Sequence, residues 1–125
     1  MKSDKFTIKS RLKSFRFALR GLKSLLKYEH NSRIHLIAAV VAVTLGIILK
    51  IDLQEWSLLV IVIGMVFIAE LINSSLESLA DHTDTEWNEF IMKSKDYSAA
   101  AVLISAVIAL VVGCIIFLPK MWSFR

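Results

Sequence analysis

A chain of 125 residues that is 56% hydrophobic and 21% charged is long enough for one domain and too apolar for an ordinary water-soluble one. Its single cysteine excludes an internal disulfide scaffold and a cysteine zinc cluster. The formal net charge of +4 is unevenly spread, and that unevenness organises everything that follows.

Near the N-terminus, Leu12, Phe15, Leu19, Leu22 and Leu26 recur at steps of three and four, which makes one apolar helical stripe. Lys9, Lys13, Arg16, Arg20, Lys23 and Lys27 follow a neighbouring stripe. The pattern predicts a helix over 5–30 lying in a membrane surface, with its cations toward anionic headgroups and the cytoplasm. Such a helix anchors and orients a protein, and its cations are also placed to neutralise a phosphate-bearing ligand. Nucleic acid is a poor partner for it, because no aromatic stacking platform interleaves the charges.

Three apolar runs follow, and a membrane span takes about 20 helical residues. We expect spans over 34–51, 56–80 and 97–118, the last ending at Pro119, the one proline. The first begins only after 33 charge-rich residues, unlike a secretory signal, so no cleaved segment is expected. Of 15 Lys and Arg, ten precede the first span and two, Lys93 and Lys95, lie between the second and third. Lys50, Lys120 and Arg125 are left for the other side. Positive-inside bias then predicts a cytoplasmic N-terminus and an external C-terminus. The fold class expected is an all-α membrane protein of one domain over 1–125, a surface helix plus three transmembrane helices.

The second span changes character before it ends. Glu70, Asn73, Glu77 and Asp81 share one helical face within roughly 80°. Ionisable groups inside a span are costly and face a bundle interior or wet cavity, which makes them functional candidates. Three clustered carboxylates support either a general base or a divalent ion held through oxygen. Magnesium commonly takes one or two carboxylates and fills its shell with water and phosphate oxygens, which points toward phosphoryl transfer. The spacing also permits a small oligomeric transport or assembly protein whose carboxylates carry protons or cations, or a polar network that sets helix register. Glu29, just before the first span, is expected at the depth of Glu77. Lys95 and Asp96 stand before the third span, where a lysine can hold phosphate or merely anchor the helix. Ser98-Ala-Ala-Ala101 suggests close helix packing. His30, His35 and His82 lack zinc-ligand spacing.

The run Glu-x-x-Asn-x-x-x-Glu-x-x-x-Asp from Glu70 to Asp81, with Lys95-Asp96 before a small apolar stretch, resembles the prokaryotic integral membrane diacylglycerol kinase family. The resemblance extends from about Lys13 to Leu118 and takes in Gly21-Leu22 and Glu29. It implies an ATP-dependent lipid kinase of the cytoplasmic membrane, a homotrimer with sites shared between subunits, using Mg2+ and ATP and acting on a lipid alcohol. Residue by residue, Glu70 matches the catalytic base and Glu29 and Glu77 the carboxylates of the magnesium bound to ATP. Asn73 matches the polar neighbour of the base beside the lipid. Asp81, Lys95 and Asp96 match nucleotide-site positions, with Lys13 and Arg20 as nearby cations and Gly21 where the surface helix passes the site. The phrase Glu29-His-Asn-Ser-Arg-Ile-His35 is closer to the branch that phosphorylates undecaprenol than to the one defined by diacylglycerol. Ser10, His35 and Lys93 depart from the enterobacterial members, which have arginine, an acidic residue and arginine there.

Overall fold

The computed structural model describes residues 6–83 and 86–123. Four helices make up the fold: α1 (Ile8–Tyr28), α2 (His30–Ile48), α3 (Leu53–Thr83) and α4 (Glu89–Trp122). No strand occurs among the described residues. α2, α3 and α4 are long and apolar enough to cross a membrane. α1 is the amphipathic helix; it starts where the Thr7 hydroxyl accepts the Ser10 N–H at 3.2 Å, and Lys5, the expected start, lies outside the described residues. Leu12, Phe15 and Leu19 stay exposed on it, as a membrane-facing stripe must.

The passage from surface helix to first span takes a single residue. Glu29 is extended (φ −95°, ψ 113°); its N–H closes α1 on the Leu25 carbonyl at 2.9 Å, and its carbonyl accepts the Arg33 N–H at 3.4 Å. One residue thus serves two helix ends that otherwise leave backbone groups unpaired. α2 therefore begins at His30, four residues before the apolar run.

At the opposite ends of the spans, α2 stops in a turn that satisfies its last carbonyls. Ile51 N–H bonds to the Gly46 carbonyl and Lys50 N–H to the Ile47 carbonyl, with Lys50 left-handed at φ 51°. This is a Schellman closure, usually completed by glycine. Ile51 turns inward against Leu59, Ile116 and Phe117. Gly46 makes room for the Trp56 ring, which would lie 2.8 Å from a β-carbon there. Asp52 and Glu55 then start α3 as a reciprocal capping box, both bonds at 2.9 Å. Lys50→Gly should stabilise the protein by about 1 kcal/mol by removing left-handed strain from a side-chain-bearing residue. Thermal unfolding in detergent checks this, and an unchanged or lower midpoint counts against it.

α3 and α4 form the principal helix pair. Glu55 faces Lys120 at 3.2 Å, Asn73 faces Ser98 at 2.7 Å and Asp81 faces Lys95 at 2.9 Å, so the partners descend one helix as they climb the other. The two helices are therefore antiparallel along their length. α4 starts well before its apolar stretch because Asn88 caps it, its Oδ1 accepting from Phe90 and Ile91 N–H. It also runs past Pro119 to Trp122, although the apolar stretch ends there. So near a helix end proline forfeits only one backbone bond, and the Pro119 carbonyl still takes the Ser123 N–H at 3.2 Å. Within one chain the small-residue run packs through its first member. Ser98 is buried, but Ala99, Ala100 and Ala101 face outward, so close packing within this chain involves the serine alone.

Candidate functional site

Glu70 is the centre of the site. It lies on α3 at 2% exposure, a carboxyl surrounded by a span that is otherwise apolar at that depth. His35 of α2 brings Nε2 to 3.2 Å from Glu70 Oε1. The distance is that of an ion pair, but the imidazole is not aligned for a hydrogen bond, and Oε1 has no hydrogen-bond partner. Burying a carboxyl without full pairing is expensive, so the position is held by the surrounding fold rather than by its own contacts. Ser74, one turn further along α3, has a buried hydroxyl in the same condition, as does Ser32 of α2.

The carboxylates expected beside Glu70 are close enough for both Glu29 and Glu77 to act on it electrostatically. Glu77 sits two helical turns, about 10 Å, beyond Glu70 on the same face. Glu29 arrives from the α1–α2 junction, half-buried, and its side chain caps no helix, which leaves both oxygens available. Among the described residues no three His, Cys, Asp or Glu side chains converge as a complete metal cage. Two carboxylates are nonetheless the usual protein contribution to a magnesium ion that also carries phosphates.

Asn73 is held by Ser98, whose single hydroxyl proton is shared between Asn73 Oδ1 at 2.7 Å and the Lys95 carbonyl at 2.9 Å. The serine thereby ties the amide beside Glu70 to the backbone turn that carries Lys95. Lys95 Nζ meets Asp81 Oδ1 at 2.9 Å. Lys95 precedes the uncharged stretch of α4, and this hydrogen bond, reinforced by the charge of Asp81, holds its ammonium above the ordinary lysine value. The lysine is therefore cationic throughout the physiological range. The pair is largely solvent-exposed, and exposed pairs contribute little net stability, so an incoming anion can replace Asp81 at small cost.

Other expected site residues make no direct bond to this group within one chain. Among the described residues no hydrogen bond or ion pair joins Lys13, Arg20 or Asp96 to the Glu70 group. Arg20 instead lies over the Phe17 ring, 5.3 Å from its centre. A β-carbon at Gly21 would meet open space, so no neighbouring element of this chain passes close there.

The arrangement can be compared with known proteins. The family model for prokaryotic diacylglycerol kinase matches residues 16–117. The chain belongs to the prokaryotic diacylglycerol kinase family. It is 33% identical to an undecaprenol kinase of Bacillus subtilis over 109 residues, covering 87% of this chain and 89% of that one. It is 30% identical to a diacylglycerol kinase of Escherichia coli K12, covering 90% of this chain and 88% of that one. A diacylglycerol kinase of Synechocystis is 34% identical over 90% of this chain and 65% of its own length. This is a family of lipid kinases, and its match spans α2, α3 and most of α1 and α4, and with them Glu29 at the α1–α2 junction, His35 of α2, Glu70 and Glu77 of α3 and Lys95 of α4.

Two contributions to the site were not legible along the chain. Along the chain Ser98 is the first of four small packing residues, and His35 is a histidine without zinc-ligand spacing where enterobacterial members have an acidic residue. Each acquires its role from a partner on another helix, Asn73 and Glu70, at sequence separations no local periodicity reports.

Proposed function

We propose that this chain is a MgATP-dependent kinase that transfers the γ-phosphate of ATP to the hydroxyl of a membrane lipid alcohol, diacylglycerol or undecaprenol. The observation that carries the reading is the placement of Glu70, a buried carboxyl in a span, with two further carboxylates and a lysine toward one end of the same helix pair. A lipid hydroxyl resides at headgroup depth and ATP in water, so the reacting groups must meet at the membrane boundary. Glu70 accepts the hydroxyl proton as the lipid oxygen forms its bond to the γ-phosphorus, and the bond from that phosphorus to the bridging oxygen of ADP breaks. Asn73 hydrogen-bonds beside the base and orients the lipid headgroup. Lys95 leaves Asp81 for a phosphate oxygen, and Asp81 and Asp96 border the nucleotide. Glu29 and Glu77 would hold Mg2+, which when bound neutralises phosphate charge. Catalysis is then chiefly positioning and charge neutralisation.

Lys13 and Arg20 of the surface helix add cations near ATP. Because no bond within one chain ties them or Asp96 to the Glu70 group, we infer a homotrimer in which neighbouring subunits complete each site. The charge distribution supports a cytoplasmic N-terminus and an external C-terminus in the bacterial inner membrane. The test is transfer of label from γ-labelled ATP to diacylglycerol and undecaprenol, assayed side by side in mixed micelles. Label in either lipid is expected. No label in either, together with ATP-independent ion flux in liposomes, would replace the kinase by a proton or cation carrier.

A further inference from the structure

The geometry points to His35 as the positioning residue that holds the Glu70 carboxylate by its Oε1 oxygen and directs the other oxygen to the lipid hydroxyl. The inference rests on Glu70 being the base, and it concerns a residue outside the set that handles metal and nucleotide. Two observations converge on it. First, His35 brings Nε2 to 3.2 Å from Glu70 Oε1 from a different helix. Second, the same imidazole lines an apolar groove of about 540 Å3 between α2, α3 and α4, walled by residues such as Ala38, Ala42, Val62, Val66 and Ala109.

His35 is the member of that lining nearest the start of α2, and Phe67 is the one furthest along α3, so the groove ends against the turn of α3 that carries Glu70. His35 is also the one lining residue with a ring nitrogen able to donate into this otherwise hydrocarbon-like surface. It therefore stands at the boundary between apolar groove and buried carboxyl. A glutamate carboxyl inside a span, with three side-chain torsions and no hydrogen bond to Oε1, has freedom to rotate away from a reacting hydroxyl. His35 Nε2, already 3.2 Å from Oε1 on a neighbouring helix, needs only a small turn of the imidazole to donate to it and remove that freedom, and small misplacements of a reacting group are costly in rate.

The test compares His35→Met with His35→Gln. Both keep the volume and the insertion of the span, but only Gln can donate a hydrogen bond to Glu70. With diacylglycerol and undecaprenol as probes, His35→Gln should keep kcat within about fivefold and His35→Met should lose about 10²-fold, with KM for MgATP within about twofold in both. Equal kcat for the two variants overturns the positioning role, as does a loss confined to KM for MgATP. Glu70→Gln, measured alongside, separates the two ideas. Activity surviving in Glu70→Gln defeats the base itself, whereas an inactive Glu70→Gln with indistinguishable His35 variants defeats only the role of His35.

Discussion

Glu70→Gln should lower the turnover of lipid phosphorylation by about 10²–10⁴-fold, the usual contribution of a positioned general base. The substitution retains volume and a hydrogen-bonding amide at a site exposed by only 2%, so the span still inserts and the helix pair still forms. What is removed is the capacity to accept a proton. KM for MgATP should therefore change little, since the groups proposed to hold the nucleotide run from Glu77 and Lys95 onward along the helices. Initial rates of label transfer at saturating lipid and saturating MgATP measure the effect. A variant retaining more than a tenth of the turnover would place the base elsewhere.

Glu77→Ala should fail in a different manner. Glu77 lies two turns from Glu70, and its charge acts on both Glu70 and Lys95, which puts it between the proposed base and the lysine proposed to face phosphate. Losing one preorganised charge at a phosphoryl-transfer centre costs about 10²–10³-fold in rate. Here the loss should come with a steeper demand for magnesium, because the remaining carboxylate, Glu29, must hold the ion with fewer protein oxygens. A Mg2+ titration at fixed ATP distinguishes the variants: half-saturation should rise for Glu77→Ala and stay unchanged for Glu70→Gln. Equal magnesium dependence in both would remove Glu77 from the metal site and leave it a neighbour of the phosphates.

The contrast between these carboxylates shows how much a one-dimensional reading can hold. Glu70, Asn73, Glu77 and Asp81 share a helical face because of a 3.6-residue period, and that much follows from numbers alone. Their separate roles depend on what each meets across the bundle. Asp81 meets Lys95 at the exposed end of the α3–α4 pair, Asn73 meets Ser98 within it, and Glu70 meets His35 of α2. Helix ends divide in the same way. The capping box at Asp52 and Glu55 is a local pattern, but the contact of Lys120 with Glu55 appears only once α4, continuing beyond Pro119, lies antiparallel to α3.

By itself, then, the order of residues determined that this is a helical membrane protein with one surface helix and three spans, and that its acidic residues gather at one end of the second. Those features are periodicities and local densities of charge, and the hydrophobic effect and the cost of buried ions act on them directly. Only the tertiary structure decided that α1 passes into α2 through Glu29 alone, that the three small residues after Ser98 face outward, and that a histidine belongs to the site. The first is a local backbone closure on Leu25 and Arg33 that no side-chain period announces, and the others depend on which helices lie side by side, since packing between segments far apart in the chain leaves no period in the sequence.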